Sequence, residues 1–297
     1  QKQRIYTDGK DNMLSIIPKD WEKPVKKMNY RCAKRIIQLA NTIGKDIDIH
    51  AEQNPREDAN DGFVRLFVVQ QHEGINKDEV EQTIMKIMSK DAEDEKWTGI
   101  DADVKILTLE HMMAARRLGF DSFFAPFNKV SKYQMTFLQG AVPEIDFFTK
   151  IILPIAESMK GDGRVALEIL KEYSPLLSKQ NTEKPYELYL KCREKAVDVA
   201  SMVNENKTIR EIVKIISDSQ LINLPNVVDR ASNLVSDDVK ESDDEELTAW
   251  VNTMDLPIEV IRKYDDYVNH RTRFDTHQGV KGLEFDRVLV IIDDSEA

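Results

Sequence analysis

Two hydrophobic periods alternate along the chain. Between Tyr30 and Ile43, the apolar residues Ala33, Ile36, Ile37, Ala40 and Ile43 recur at helical spacing and share one face. Phe63-Val64-Arg65-Leu66-Phe67-Val68-Val69 is a short run of β-branched and aromatic residues, and it predicts a strand. The helical period returns from Lys77 to Met88, with Val80, Ile84, Ile87 and Met88 on one side. Asp103 to Leu109 predicts a second strand and Glu110 to Leu118 a helix after it. Near the C-terminal end, Arg287-Val288-Leu289-Val290-Ile291-Ile292 is an unbroken apolar run, the pattern of a strand covered on both faces in a parallel sheet. Strands that alternate with helices predict an α/β layered fold.

The stretch from about 120 to 265 reads differently. It offers helical periodicity without strands: Ala166, Ile169 and Leu170 within Val165 to Tyr173, then Leu188, Cys192, Val199 and Val203 within Tyr186 to Val203, then Ile212, Val213 and Ile216 within Ile209 to Ile216. Pro143, Pro154, Pro175, Pro185 and Pro225 punctuate these segments, where prolines are expected to end helices. The organisation expected is an α/β domain at 1–119, a helical domain inserted at 120–264, and the closing part of the α/β domain at 265–297.

Composition narrows the class. With 297 residues, the chain is long enough for two cores. Its 41% hydrophobic and 32% charged residues describe a globular protein. No apolar run approaches the roughly 18 residues of a membrane span, so no membrane partner is expected. Gln1-Lys2-Gln3-Arg4 leads straight into ordinary sequence, without the pattern of a signal peptide, and a first residue other than Met points to a cut chain. Cys32 and Cys192 have no metal-ligand spacing and read as reduced core residues of a cytoplasmic protein. His50, His72, His111 and His270 form no ligand pattern either, so no metal site is assigned. The net charge of −11 argues against a broad nucleic-acid surface but leaves room for a local basic groove. Much of the acid lies in 236–246, read as a solvated loop or helix edge, with a partner-binding acidic patch as the sharper alternative.

Candidate chemistry concentrates at both ends. Thr276-His277-Gln278-Gly279-Val280-Lys281-Gly282-Leu283-Glu284-Phe285 precedes the last apolar strand. A glycine-containing loop beside a sheet lets the backbone come close to a phosphate or sugar. A Glu there accepts hydrogen bonds from ribose hydroxyls, and Thr and Lys hold nucleic-acid phosphates. The segment resembles motif V of UvrD/Rep-type superfamily 1 DNA helicases, T-x-H-x-x-K-G-L-E-F before a buried strand. It departs from that pattern at Gln278, where the family has His, with His277 one place early.

Two further segments resemble the same family in the same order. Met28-Asn29-Tyr30-Arg31-Cys32, with a following helix that ends Leu39-Ala40-Asn41, resembles motif IV. The resemblance implies that Tyr30 stacks on adenine and that Arg31 reaches the γ-phosphate as an arginine finger, a role suited to a planar guanidinium. Gln1-Lys2-Gln3-Arg4-Ile5-Tyr6 resembles the end of motif III, which implies γ-phosphate sensing for Gln3 and base stacking for Tyr6. Asp8 stands where the family often has an aromatic. Gly282 and Glu284 are then nucleotide-side residues, and Thr276, Gln278 and Lys281 DNA-side residues. In Ala114-Ala115-Arg116-Arg117-Leu118, the resemblance offers Arg116 or Arg117 to DNA phosphates, and a solvated helix face is the equal alternative.

The fold implied is a RecA-like parallel-sheet motor domain, the second of two, interrupted by a mostly α-helical inserted domain. The function implied is part of an ATP-dependent DNA helicase or translocase, moving 3′ to 5′, with ATP and Mg²⁺ as cofactors of the whole enzyme and none bound to this chain alone. Single-stranded and duplex DNA and a first motor domain in cis are the expected partners of a monomer. DNA repair is one setting that suits such a motor. No G-x-x-x-x-G-K-[ST] loop occurs in the 297 residues, so the chain by itself is expected to be inactive. The alternative, from another class, is a non-catalytic nucleic-acid- or protein-binding module that keeps the helicase fold. A nuclease built on Asp293 and Asp294 lacks a third acid or a Lys at useful spacing. The motor reading expects Asn29–Arg31 and Lys281–Phe285 to converge on one nucleotide-facing sheet edge, and it fails if the two segments lie on opposite faces or in different domains.

Overall fold

The computed structural model describes residues 17–18, 20–22, 26–45, 52–70, 72, 74–134, 136–177, 185–235 and 244–293. The fold is mixed α/β, mostly helical, with small parallel sheets. The chain divides into two compact units, each discontinuous in sequence: 1–105 with 277–289, and 106–276 with 290–297.

In the first unit, β1 (Met28–Asn29) pairs in parallel with β2 (Asn54–Pro55), in the register Met28 to Asn54 and Asn29 to Pro55. Helix α1 (Lys34–Gly44) lies between them in sequence, and α2 (Lys77–Asp91) follows. The Asn76 side chain caps α2 by accepting from Glu79 N–H, and Asp78 and Glu79 complement the helix dipole in its first turn. The start of α1 is closed differently. Lys34 and Arg35 N–H donate to the carbonyls of Asn60 and Asp61, both at 2.9 Å, so the incoming loop satisfies groups that a cap residue usually serves. Gly62 makes this close approach possible. Its φ is +72°, and a Cβ there would stand 2.4 Å from Ala33 Cβ.

The strand expected over Phe63–Val69 does not form: among the described residues the segment has no ladder partner, and Leu66 and Val68 are each 88% exposed. Strand preference measures fit to a pleated, covered surface rather than an intrinsic backbone choice. This run is apolar on both faces and needs two covers. What it has is two guanidinium groups near the Phe63 ring, Arg35 at 5.8 Å and Arg65 at 4.9 Å from the ring centroid. Helix α1 likewise buries Ile37 but leaves Ile36 and Ile43 exposed.

β3 (Lys105–Thr108), β4 (Phe274–Thr276) and β5 (Val288–Ile291) form a three-stranded sheet in the order β4-β3-β5. β3 and β4 are parallel, with Ile106, Leu107 and Thr108 opposite Phe274, Asp275 and Thr276. β5 corrects an expectation. It is a strand, but an edge strand, and Val288, Val290 and Ile292 are exposed rather than covered on both faces.

The second unit holds the closed core. Helices α3 (His111–Leu118) and α4 (Asp121–Asn128) meet at Gly119, whose left-handed conformation ends α3. The helices that follow are α5 (Pro143–Asp146), α6 (Leu153–Ser158), α7 (Arg164–Tyr173), α8 (Pro185–Asn204), α9 (Ile209–Ser219), α10 (Asn226–Ser232), α11 (Glu245–Thr253) and α12 (Glu259–Val268). They surround a cluster of aromatic side chains. Phe137 stacks on Tyr264 at 4.7 Å, Phe127 meets Trp250 edge-on at 4.9 Å, and Tyr264 Oη donates to the Phe137 carbonyl at 2.5 Å. Truncating one such ring to Ala costs about 3–5 kcal/mol, so this cluster outweighs any surface contact in the unit.

Pro154 does not end a helix as expected. The turn before it, Phe147–Ile152, widens to π geometry, and Leu153 N–H reaches back to the Phe148 carbonyl. A widened turn absorbs the missing proline N–H without a break.

Arg210, at the start of α9, is the polar tie of this unit. Its guanidinium grips Asp255 with two bonds, of 2.7 and 3.2 Å, and donates to the carbonyls of Ala231 and Ser232 at the end of α10 and of Leu234 just beyond it. The guanidinium holds Asp255 below the ordinary carboxylate pKa. Arg210→Gln keeps some donors but cannot make this fork. We expect it to lower the unfolding free energy by about 2–3 kcal/mol, read as a lower urea midpoint for the helical unit. An unchanged midpoint would show that the fork is ornamental.

Candidate functional site

The site is built around two loops of the first unit. β1 ends at Asn29, whose Oδ1 accepts the N–H groups of Arg31 and Cys32, both at 2.9 Å. This turn sets the path of Tyr30 and Arg31 before α1 begins. The amide group of Asn29 also donates to Gln53 Oε1 at 2.7 Å. From the far end of α1, Asn41 completes the frame: its Nδ2 donates to the Gln53 carbonyl and its Oδ1 accepts from Gln53 N–H, at 2.8 and 3.0 Å. The side-chain amide of Asn41 thus imitates a strand partner for the residue that leads into β2.

The second loop runs from His277 to Asp286. Lys281 N–H bonds to the Gln278 carbonyl and Leu283 N–H to that of Val280, which forms two tight turns. Gly282 has φ +88°, yet among the described residues a Cβ there would meet nothing within 4 Å. The glycine therefore serves backbone conformation, and the space beside it is open. Lys105 Nζ lies over the Phe285 ring, 5.6 Å from its centroid.

The two loops meet. Arg31 Nε stands 2.6 Å from Glu284 Oε1, with about half of each side chain exposed (52% and 65%). The Asn29–Arg31 and Lys281–Phe285 segments thus converge within one unit, far apart as they are in sequence. The strands beside them belong to two separate small sheets, β1 to one and β5 to the other, so the convergence does not run along a single sheet edge.

The remaining candidates are placed as follows. Tyr30 is 73% exposed beside Arg31, with a ring face open to solvent. Gln278 and Lys281 are exposed. Thr276 belongs to the second unit, where it is buried in β4 with its N–H on Asp275 Oδ1. Asp275 is itself buried and accepts His270 Nδ1 at 2.8 Å. Arg117 folds back onto the Met113 carbonyl of its own helix, whereas Arg116 is exposed. Gln3, Tyr6 and Asp294 lie outside the described residues. Among the described residues, no cluster of three or more His, Cys, Asp or Glu could hold a metal, and no helix is long and apolar enough to cross a membrane.

Sequence reasoning missed the residue that fixes the second loop. Arg287, at the entry to β5, is only 11% exposed. Its Nε bonds to Asp94 Oδ2 at 2.5 Å, its Nη1 lies 3.5 Å from Asp103 Oδ2, and its carbonyl accepts Lys105 N–H at 2.9 Å. The Arg287 guanidinium holds the Asp94 carboxyl below its ordinary range. The only signal in the sequence was a charged residue opening an apolar strand. The end of the acidic stretch also gained a role. Asp244 caps α11 by accepting from Leu247 N–H, and Glu246 accepts the buried Tyr133 hydroxyl at 2.5 Å and Lys132 Nζ at 2.8 Å.

Compared with known proteins, the chain matches no family model, no curated sequence and no solved structure.

The Arg287 anchor sets a pH dependence. A carboxyl whose pKa is lowered by folding stabilises the fold above its unfolded pKa of about 3.9, and that contribution disappears as pH falls through the lower folded value. Asp94→Asn is expected to cost about 1–3 kcal/mol at neutral pH, because Arg287 stays buried with a weaker partner. The deficit relative to the parent should shrink below about pH 4 in urea melts. A deficit that stays constant down to pH 2 would overturn the assignment.

Proposed function

We propose that this chain is one wall of the ATP cleft of a UvrD/Rep-type superfamily 1 DNA motor, a RecA-like second motor domain carrying an inserted helical domain. The observation that carries the reading is the Arg31–Glu284 ion pair. It joins the two segments that resemble the family, and it places a planar cation and a carboxylate within one hydrogen bond of each other. Beside them stands an exposed aromatic ring, Tyr30. A guanidinium, a carboxylate and an aromatic face are the groups that bind phosphate, sugar hydroxyls and a base.

In this reading, Arg31 stabilises charge on the transferring phosphoryl group, Glu284 accepts from the ribose, and Tyr30 stacks on adenine. Gln278 and Lys281 face the DNA strand from the same loop. The loop that cradles phosphates and Mg²⁺ is not encoded in the 297 residues, so the partner wall supplies it.

The test is nucleotide turnover. The 297-residue chain alone is expected to hydrolyse ATP no faster than buffer. In the whole motor, Arg31→Ala is expected to lower DNA-stimulated turnover on the order of 10³-fold while ATP affinity changes little. Equal turnover in variant and parent would remove the arginine from catalysis. Turnover by the chain alone would show that the second wall is not needed.

A further inference from the structure

Arg31 and Glu284 each have a ligand chemistry of their own, yet in this structure each serves the other. A guanidinium pairs with phosphate oxygens through the same fork that it offers a carboxylate. Phosphate and Glu284 therefore compete for Arg31. A carboxylate relieved of its cation has lone pairs free for vicinal hydroxyls, the arrangement by which acidic side chains hold ribose.

We propose that the Arg31–Glu284 pair is an exchange gate that selects nucleoside polyphosphates over bare polyphosphates. Glu284 occupies the guanidinium until phosphate takes its place. A ligand with a ribose diol then gives the displaced carboxylate a new partner, whereas a bare polyphosphate leaves it unpaired beside the incoming negative charge. The exposure of the pair suits exchange: ion pairs this open to water are weakly held, because water screens the attraction. This proposal rests on the reading of the two loops as a nucleotide site and adds the device that would give that site its selectivity.

The experiment titrates inorganic tripolyphosphate, ATP and 2′,3′-dideoxy-ATP into the 297-residue chain. It follows the backbone amide resonances of Tyr30, Arg31 and Cys32, which report weak binding at the site itself. Glu284→Ala is expected to tighten tripolyphosphate about two- to fivefold, the range that an exposed ion pair is worth. It should also abolish any preference for ATP over the dideoxy nucleotide. Asp286→Ala removes an exposed carboxylate two positions away and is expected to change both readings less. The exchange is overturned if Glu284→Ala leaves tripolyphosphate affinity unchanged or weaker, if Asp286→Ala matches it, or if the ribose preference survives. Resonances that respond to none of the ligands in the parent chain would remove the nucleotide site along with the gate. Tripolyphosphate binding that ignores Glu284 would remove the gate alone.

Discussion

The geometry of the candidate site depends on a buried charge. Arg287 is nearly excluded from water, and a guanidinium cannot shed its proton to escape the cost. It therefore has to be where Asp94 and Asp103 are. That requirement fixes the entry to β5 against the turn after α2, and Glu284 lies three residues earlier on the same strand of chain. The loop between them is short, so the freedom left to Glu284 is small. Removing the carboxylate would strand a guanidinium that is only 11% exposed, so the pair makes a strict positional constraint even where it adds little net stability.

Legibility in the sequence followed the strength of the local signal. Helices with a clear run of apolar spacing, such as 165–173, 186–203 and 209–216, appear where the periodicity placed them. So do the strands at 105–108 and 288–291. The Phe63–Val69 strand was misread because its composition reports what such a segment would like to be covered by, and among the described residues it has no ladder. Pro154 was misread because a proline only breaks a helix whose preceding turn cannot widen. Arg31 and Glu284 could be singled out from short motifs. Their contact could not, since nothing in two distant pentapeptides encodes a 2.6 Å distance. Arg287 and Asp94 escaped notice for a related reason: the covering of the Arg287 side chain makes the pair matter, and that is a property of the folded chain.

The two units differ in how they are held. The helical unit closes around interlocked aromatic rings, and its polar ties, Arg210 with Asp255 and Tyr133 with Glu246, sit at the margin of that core. The unit that carries the candidate site leaves Trp21, Ile43, Leu66 and Val68 exposed and relies on loop hydrogen bonds, the Asn41–Gln53 pairing and the Arg287 anchor. Local opening is easiest where few apolar contacts oppose it. Hydrogen exchange in the first unit should accordingly be faster than in the second.

The contrast between Arg287 and Arg31 shows how one residue type serves two ends. Both are paired to carboxylates at hydrogen-bond distance. The Arg287 side chain is largely covered, so loss of its partner strands a poorly hydrated charge and the pair acts as an anchor. The other is open to water, so screening lowers the cost of separation to little more than thermal energy. A site that must release its own contacts to accept a ligand needs the second kind, and it needs the first kind nearby so that the released groups do not wander. The loop between Gly282 and Arg287 has both within a few residues, and this pairing of a fixed foot with an exchangeable hand is the physical basis of the ligand chemistry proposed for it.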